Sequence, residues 1–300
     1  MTNEFEAICS LVRGCGEIIR SADRGNIRID EKSGPADFVT DYDKKVQDML
    51  QRGLADIVPD AHFIGEEGST HPFASEGRFF IVDPIDGTTN FIKDFHASAI
   101  SVALSVDGAV ELGVIYNPYL DELFTARRGR GAFCNGRAIH VSSEPLENGI
   151  VIFGTSPYNE EVSEKSFRLA YEYHRRALDV RRTGSAAIDL CNIAAGRAEL
   201  FFELVLSPWD YAAGALIVEE AGGIVTDADG RALSLDRKCS VVARNAVGSQ
   251  LLVLLEFLNG RLGLAAEVAG DFCVIIAQCF QVMQAAHSVF KRHLCRMQLC

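Results

Sequence analysis

Between residues 4 and 21 the apolar side chains Phe5, Ile8, Leu11, Val12, Cys15, Ile18 and Ile19 return every three or four positions. This is the period of one helix face, so the segment reads as an amphipathic helix lying on a core. A second helix is expected from about Thr40, with Val46, Met49 and Leu50 as its apolar stripe. Thr40 and Asp43 have the spacing of a capping box, with Asp in place of the usual Glu or Gln. The period then shortens. Residues 62–64, 79–82, 99–106 and 109–116 are short runs rich in β-branched or aromatic side chains, and Asp107-Gly108 between the last two is a hairpin signal. The middle of the chain therefore reads as a sheet that is at least partly antiparallel.

After Ser143 strands and helices alternate. Strands are expected near residues 150–154, 178–182 and 198–204, and helices near 160–176, 186–195 and 211–221. Such alternation predicts a layered α/β half. No repeat or low-complexity linker intervenes, so a first half at 1–143 and a second at 144–260 are expected to share an interface. In the remaining segment, 261–300, Phe272, Ile275, Ile276, Cys279, Val282, Met283, Ala286, Val289 and Phe290 form another helical stripe, followed by Lys291, Arg292, His293 and Arg296. Gln278, Gln281, Gln284, His287 and Ser288 make it a poor membrane span. Packing on the domain is its expected use, with contact to another subunit or a membrane surface as alternatives.

Composition sharpens this picture in three ways. Apolar residues make up 48% and charged residues 23% of the 300, the balance of a folded globular protein. A net charge of -12 repels a phosphate backbone, which argues against nucleic-acid binding through a general basic surface. The nine cysteines include no CxxC pair, and the N-terminus lacks a basic start and apolar run. Reduced thiols, the cytoplasm and no transmembrane span are the expectations.

The chemistry gathers in three acidic segments. FFIVDPIDGTTNF at 79–91 is an apolar strand running into Asp83 and Asp86, three residues apart. Carboxylates at the mouth of a buried strand are costly unless a cation or donors compensate them. Pro84 stiffens the bend, Gly87 permits close approach, and a helix starting at Thr88 would turn free amides toward an anion. FIGEEGS at 63–69 ends another short strand in Glu66 and Glu67, and SPWDYAAG at 207–214 sets Asp210 near the start of a helix. Taken singly, the second reads as a solvated loop and the third as a helix cap, whereas for the first a capped surface turn is the lesser alternative. Together they form an oxygen-only donor set without His or Cys at ligand spacing, which selects a hard cation such as magnesium and, with it, a phosphate ester.

GEE at 65–67, DPIDGTTNF at 83–91 and WDYAAGALIVEEAGG at 209–223 resemble the signature segments of the inositol monophosphatase family. The likeness runs from about residue 5 to about 250 and includes RRGRGAFCNG at 127–136 and RRTGSAAIDLCNIAAGRAELFFE at 181–203. It implies an α+β fold of the sugar-phosphatase type, a layered αβαβα sandwich, with magnesium-dependent hydrolysis of a small phosphorylated polyol such as inositol monophosphate. By that resemblance Glu66, Asp83, the carbonyl of Ile85, Asp86 and Asp210 hold two or three Mg2+ ions, and Gly87 and Thr88 bind phosphate through their amides. Thr88 with Asp43 orients and deprotonates the attacking water, assisted by Glu66, while Lys32 and Asp37 belong to a mobile loop. Gly184, Ser185, Ala186 and Glu203, together with Asp86 and Asp210, face the substrate. A homodimer is also implied.

The same scaffold serves fructose-bisphosphate phosphatases, nucleotide 3'-phosphatases and histidinol-phosphate phosphatases. A second phosphate would require an added basic pocket, for which Arg127, Arg128, Arg130, Arg181 and Arg182 are the candidates. Some bacterial relatives act instead as RNA-transcription accessory proteins, a role the acidic charge opposes.

Overall fold

The first helix, α1 (Thr2–Arg20), forms where the 3.6-residue period starts, and it buries Ile8, Val12, Cys15 and Ile19. A two-stranded ribbon follows, β1 (Ile29–Glu31) with β2 (Phe38–Thr40), and leads into α2 (Asp41–Ile57). Thr40 caps α2 in the expected box: its hydroxyl accepts from the Asp43 amide, and the Asp43 carboxylate accepts from the Thr40 amide at 2.7 Å. The buried stripe of α2 is Val46, Leu50 and Leu54, and Met49, expected inside, is 39% exposed. Met49 lies one position off that stripe, about 100° around the helix. The computed structural model describes residues 2–32, 38–68 and 72–247, all within one compact unit, Met1–Leu255. Asp37 and the stripe at 272–290 lie outside the described residues.

Seven strands build the first sheet: β3 (Ala61–Gly65), β4 (Arg78–Asp86), β5 (Ala99–Val106), β6 (Ala109–Asn117), β7 (Glu122–Arg127), β8 (Ala132–Cys134) and β9 (Arg137–Ile139), in that spatial order. Only β3 and β4 pair in parallel. The Asp107-Gly108 turn joins β5 to β6 with φ of 48° and 81°, the doubly positive geometry that the dipeptide signals. After β4 comes the short α3 (Thr88–Ile92), with Gly87 at φ 86°.

A second, five-stranded sheet has the order β11-β10-β12-β14-β13, from β10 (Ile150–Phe153), β11 (Asp179–Arg181), β12 (Leu200–Leu206), β13 (Ile224–Thr226) and β14 (Cys239–Arg244). The crossovers are α4 (Glu160–His174), α5 (Ala186–Ala194) and α6 (Pro208–Glu220). α6 begins three residues before the expected start, because Ser207 caps it in a box with Asp210 and Pro208 fits the first turn.

The packing gives a layered α+β sandwich. α1 and α2 cover one face of the seven-stranded sheet through a core of Val12, Ile19, Leu50, Phe80 and Val114. α5 and α6 fill the space between the two sheets around Leu190, Phe201, Tyr211 and Leu216, and α4 packs on β10, β11 and β12. Close approach is needed at Gly113 on β6, where a Cβ would stand 2.7 Å from the carbonyl oxygen of Ala213 in α6. Among the described residues no helix is long and apolar enough to cross a membrane, and the five described cysteines are free thiols.

Candidate active site

The parallel pairing of β3 and β4 brings their C-terminal ends to one edge of the sheet, which sets Glu66 beside the Asp83–Asp86 turn. In a regular strand, residues three apart project to opposite faces. Here β4 carries one extra residue against β5 between the pairs Asp83↔Ser101 and Asp86↔Ala99. A bulge of this kind re-aims side chains, and Pro84, which has no N–H to leave unpaired, suits it. β12 slips in the same way between Glu203 and Leu206. Both irregularities border a cavity of about 270 Å³ lined by Glu66, Asp86, Gly87, Thr88, Gly184, Ser185, Ala186, Glu203 and Asp210. Residues expected from five separate segments thus share one concavity.

Asp86 is buried, and one of its oxygens accepts from the Ser185 hydroxyl and the Ala187 amide, both at 2.6 Å, which ties β4 to the start of α5. Burial pushes its carboxyl up to about 6, although those two donors favour the charged form. Asp83 accepts from the Ile85 amide at 3.0 Å. Burial, together with the charges of Glu66, Asp86 and Asp210, raises Asp83 well above the usual carboxylate range. Asp210 is raised in the same way, first by burial and then by Glu66 and Asp86. One oxygen of Asp210 accepts from the Ser207 amide at 2.7 Å as the helix cap, so that carboxylate serves the fold and the cavity together.

Thr88 lies 3.3 Å from an Asp43 oxygen and 3.1 Å from the Ile85 carbonyl, which has a second lone pair to offer elsewhere. The other Asp43 oxygen is engaged by Thr40. Lys32 donates to Glu66 at 2.8 Å and to Glu67 at 2.5 Å. Burial works against the Lys32 charge, but the Glu66 charge and the two hydrogen bonds outweigh it and hold Lys32 above its ordinary value. Gly87 is required at its position: besides its positive φ, a Cβ there would sit 2.9 Å from the Ala97 carbonyl and 3.2 Å from that of Gly184.

Across the cavity, Glu203 accepts from the Ser156 amide at 3.1 Å and its hydroxyl at 3.3 Å. Burial pushes Glu203 up to about 7. Gly154 makes room for it, since a Cβ at Gly154 would fall 1.8 Å from a Glu203 oxygen. Asp189 also lines the cavity, is 1% exposed and accepts from the Thr183 hydroxyl at 2.6 Å. Sequence reasoning passed over it, although a lone charge in the apolar helix AAIDLCNIA is a signal in itself. Asn90, likewise passed over, joins the Ala97 and Thr183 carbonyls at 2.7 and 2.9 Å and so fixes α3 against the loop before α5.

The donor set contains only oxygens, carries uncompensated negative charge, and is most costly where Asp83, Asp86 and Asp210 meet, all of which suits a hard cation. Among the described residues no group of three or more Asp, Glu, His or Cys side chains is drawn together closely enough to hold a metal ion by itself. An ion completed by water and substrate oxygens fits such an open arrangement.

A layered sandwich thus carries acidic strand ends and a glycine-opened turn at one cavity, and a family model that matches most of the chain makes it a phosphatase of the hydrolase class. The chain belongs to the inositol monophosphatase family, whose model matches residues 1–258, a family of generally metal-dependent enzymes. It is 37% identical over 255 residues to human inositol monophosphatase 2, covering 83% of this chain and 88% of that protein. It is 41% identical over 197 residues to a protein of Vibrio cholerae named Nus factor SuhB, covering 65% of this chain and 74% of the other. Among solved structures, the extragenic suppressor protein suhB of Bartonella henselae superposes with a TM-score of 0.76 at 32% identity, covering 86% of this chain and 98% of that one.

Proposed function

We propose that this protein is a magnesium-dependent phosphomonoesterase that releases phosphate from a small phosphorylated polyol, inositol monophosphate above all. The observation that carries the reading is the meeting of Glu66, Asp86 and Asp210, from three separate segments, in one cavity with Gly87 and Thr88. Glu66, Asp83, Asp86, Asp210 and the Ile85 carbonyl would hold two or three ions. When bound, magnesium supplies Lewis-acid activation of water and neutralises charge on the phosphoryl and leaving oxygens.

The chain's own groups do the rest. The amides of Gly87 and Thr88 grip phosphoryl oxygens, because the first turn of a helix leaves its N–H groups without intrahelical acceptors. The Thr88 hydroxyl accepts a proton from the attacking water as its own proton moves toward Asp43, with which it is already in contact at 3.3 Å. Glu203 and the segment Gly184, Ser185 and Ala186 orient the polyol, whose hydroxyls donate to carboxylate oxygens. Lys32 occupies Glu66 and Glu67 until an ion competes for them. The halves 1–143 and 144–260 contribute unequally: the first supplies most ion and phosphate ligands, the second the substrate wall and Asp210. We assign the protein to the cytoplasm, as a homodimer.

Phosphate release from inositol phosphates, sugar bisphosphates, phosphoadenosine phosphate and histidinol phosphate, with and without magnesium, tests the reading. Fastest turnover of an inositol monophosphate with magnesium supports it, and a marked preference for another ester reassigns the substrate. A second reading, an accessory role in transcription, rests on the likeness to Nus factor SuhB. Full biological function in an Asp86→Asn strain would favour it.

A further inference from the structure

Asp189 lines the cavity together with Glu203, is 1% exposed and sits one turn of α5 beyond Ser185. Residues four apart on a helix share a face, so its side chain lies beside the segment that orients the polyol. The two oxygens of Asp189 are used unequally. Oδ1 accepts from the Thr183 hydroxyl at 2.6 Å, whereas no hydrogen bond or ion pair among the described residues reaches Oδ2. The fully enclosed side-chain polar atoms without a partner are, among the described residues, the hydroxyls of Ser105 and Ser166. Oδ2 therefore keeps an opening, and the cavity is what it opens on.

A buried acceptor left without a donor forfeits its bonds to water and gains nothing in return. Burial raises the Asp189 carboxyl well above the usual carboxylate range, against the Thr183 hydrogen bond and with the charges of Asp86 and Glu203. A cation would be drawn to the charged form alone. A hydroxyl both donates and accepts, so it satisfies Oδ2 with or without its proton. Glu203 shows the same division of labour: Oε1 takes both donors of Ser156, and Oε2 has none among the described residues. Two carboxyls, each with one oxygen anchored by the protein and one left open, thus border the cavity that also holds Gly87 and Thr88. A ring bearing several hydroxyls can meet both at once, and an ester with a single hydroxyl cannot.

We infer that Asp189 is a specificity-determining residue whose Oδ2 takes a second ring hydroxyl of the polyol, beside the one that Glu203 takes. This rests on the reading of the cavity as a phosphomonoesterase site for a polyol. A site built to bond a hydroxyl rejects the analogue that lacks it, because the protein group is then left unpaired. The test uses the full chain in magnesium with inositol 1-phosphate and each of its single-deoxy analogues. Wild type is expected to lose about tenfold in kcat/KM on two of the analogues, one for each carboxyl, the scale of one hydrogen bond. Asp189→Ala should erase one of those losses, cutting that analogue and the parent ester at equal rates, and keep the other. Asp189→Asn, which retains an oxygen at that place, should erase it in part. A role limited to holding Thr183 would instead lower every ester alike, and Thr183→Val would reproduce that pattern. A wild type indifferent to single hydroxyls, or an Asp189→Ala profile parallel to wild type across the set, overturns the inference. If no ester is cut, the phosphatase reading fails separately, and the melting-temperature shifts that the same esters induce in wild type and Asp189→Ala decide on Asp189 by the same pattern.

Discussion

β4 and β12 both slip by one residue as they reach the cavity, yet they deliver carboxylates of opposite character. At the end of β4, Asp83 and Asp86 lie near Glu66 and Asp210, and the positive charge of Lys32 is spent on Glu66 and Glu67. On β12, Glu203 is held by an amide and a hydroxyl of Ser156, and burial weighs on it more than the charge of Asp86 does. Crowded carboxylates gain most from a multivalent cation, whereas a single carboxylate with neutral donors suits a neutral hydroxyl. The same backbone device therefore serves an ion-binding wall on one side and a substrate-binding wall on the other.

The largest effect should come from breaking the β4 wall. Asp86→Asn keeps an oxygen for Ser185 and Ala187, so the fold survives, but turnover should fall on the order of 10²–10³ in kcat by analogy with loss of one electrostatic stabiliser. Near-normal rates at saturating magnesium would defeat the assignment. Asp83→Asn probes the same wall without a substrate. Removing one of several repelling buried charges should raise the metal-free melting temperature by about 2–4 °C, corresponding to about 1 kcal/mol. The stabilisation normally gained on adding magnesium should shrink in that variant. A lower metal-free melting temperature would show that the crowding costs nothing.

How much of this was legible beforehand depended on whether the signal was local. The stripes of α1 and α2, the Thr40 box and the Asp107-Gly108 hairpin are written in a few neighbouring residues, and each appears in the fold, with Met49 alone turned out of the α2 stripe. β1, β2, β8, β9 and β13 escaped because three-residue strands carry little periodicity to read, and β7 and β14 were not expected either. The start of α6 lies three residues before the expected one because Ser207-Pro208 is a cap followed by a first-turn proline. The acidic segments were visible one by one, but the bulges that let Asp86 and Glu203 serve one cavity, with the charge of Asp83 close to Asp86, depend on pairing with β5 and β14. Asp189 is legible as the one charge in AAIDLCNIA, but its place on the cavity wall depends on α5 lying buried between two sheets.

A smaller change sharpens the contrast from the β12 side without touching the ion-binding wall. In Gly154→Ala the new methyl would occupy the place of a Glu203 oxygen, forcing that carboxylate off Ser156. KM for the polyol phosphate should rise about tenfold, the worth of one charge-assisted hydrogen bond. Inhibition by inorganic phosphate, which has no polyol to orient, should change far less. An equal loss in both would mean that the two walls are not separable.

The smallest effect is a pH dependence confined to β12. Glu203 has an ordinary value of 4.5 and is pushed up to about 7 in the fold by burial. Below about 4.5 both folded and unfolded chains keep its proton, so the group leaves stability unchanged there. Between 4.5 and 7 the unfolded chain releases the proton first, so stability falls as pH rises, and above about 7 the cost stays constant. Other buried carboxyls slope in the same direction, so wild type alone cannot isolate this one. The difference between Glu203→Gln and wild type can, because glutamine keeps an oxygen for Ser156 and never ionises. In chelator, the urea midpoint of the variant should gain on wild type from pH 5 to pH 8, by about 1 kcal/mol after allowing for partial exposure. A gap that stays flat over that range would place Glu203 in the solvent-screened class of carboxylates and remove the contrast between the two strands.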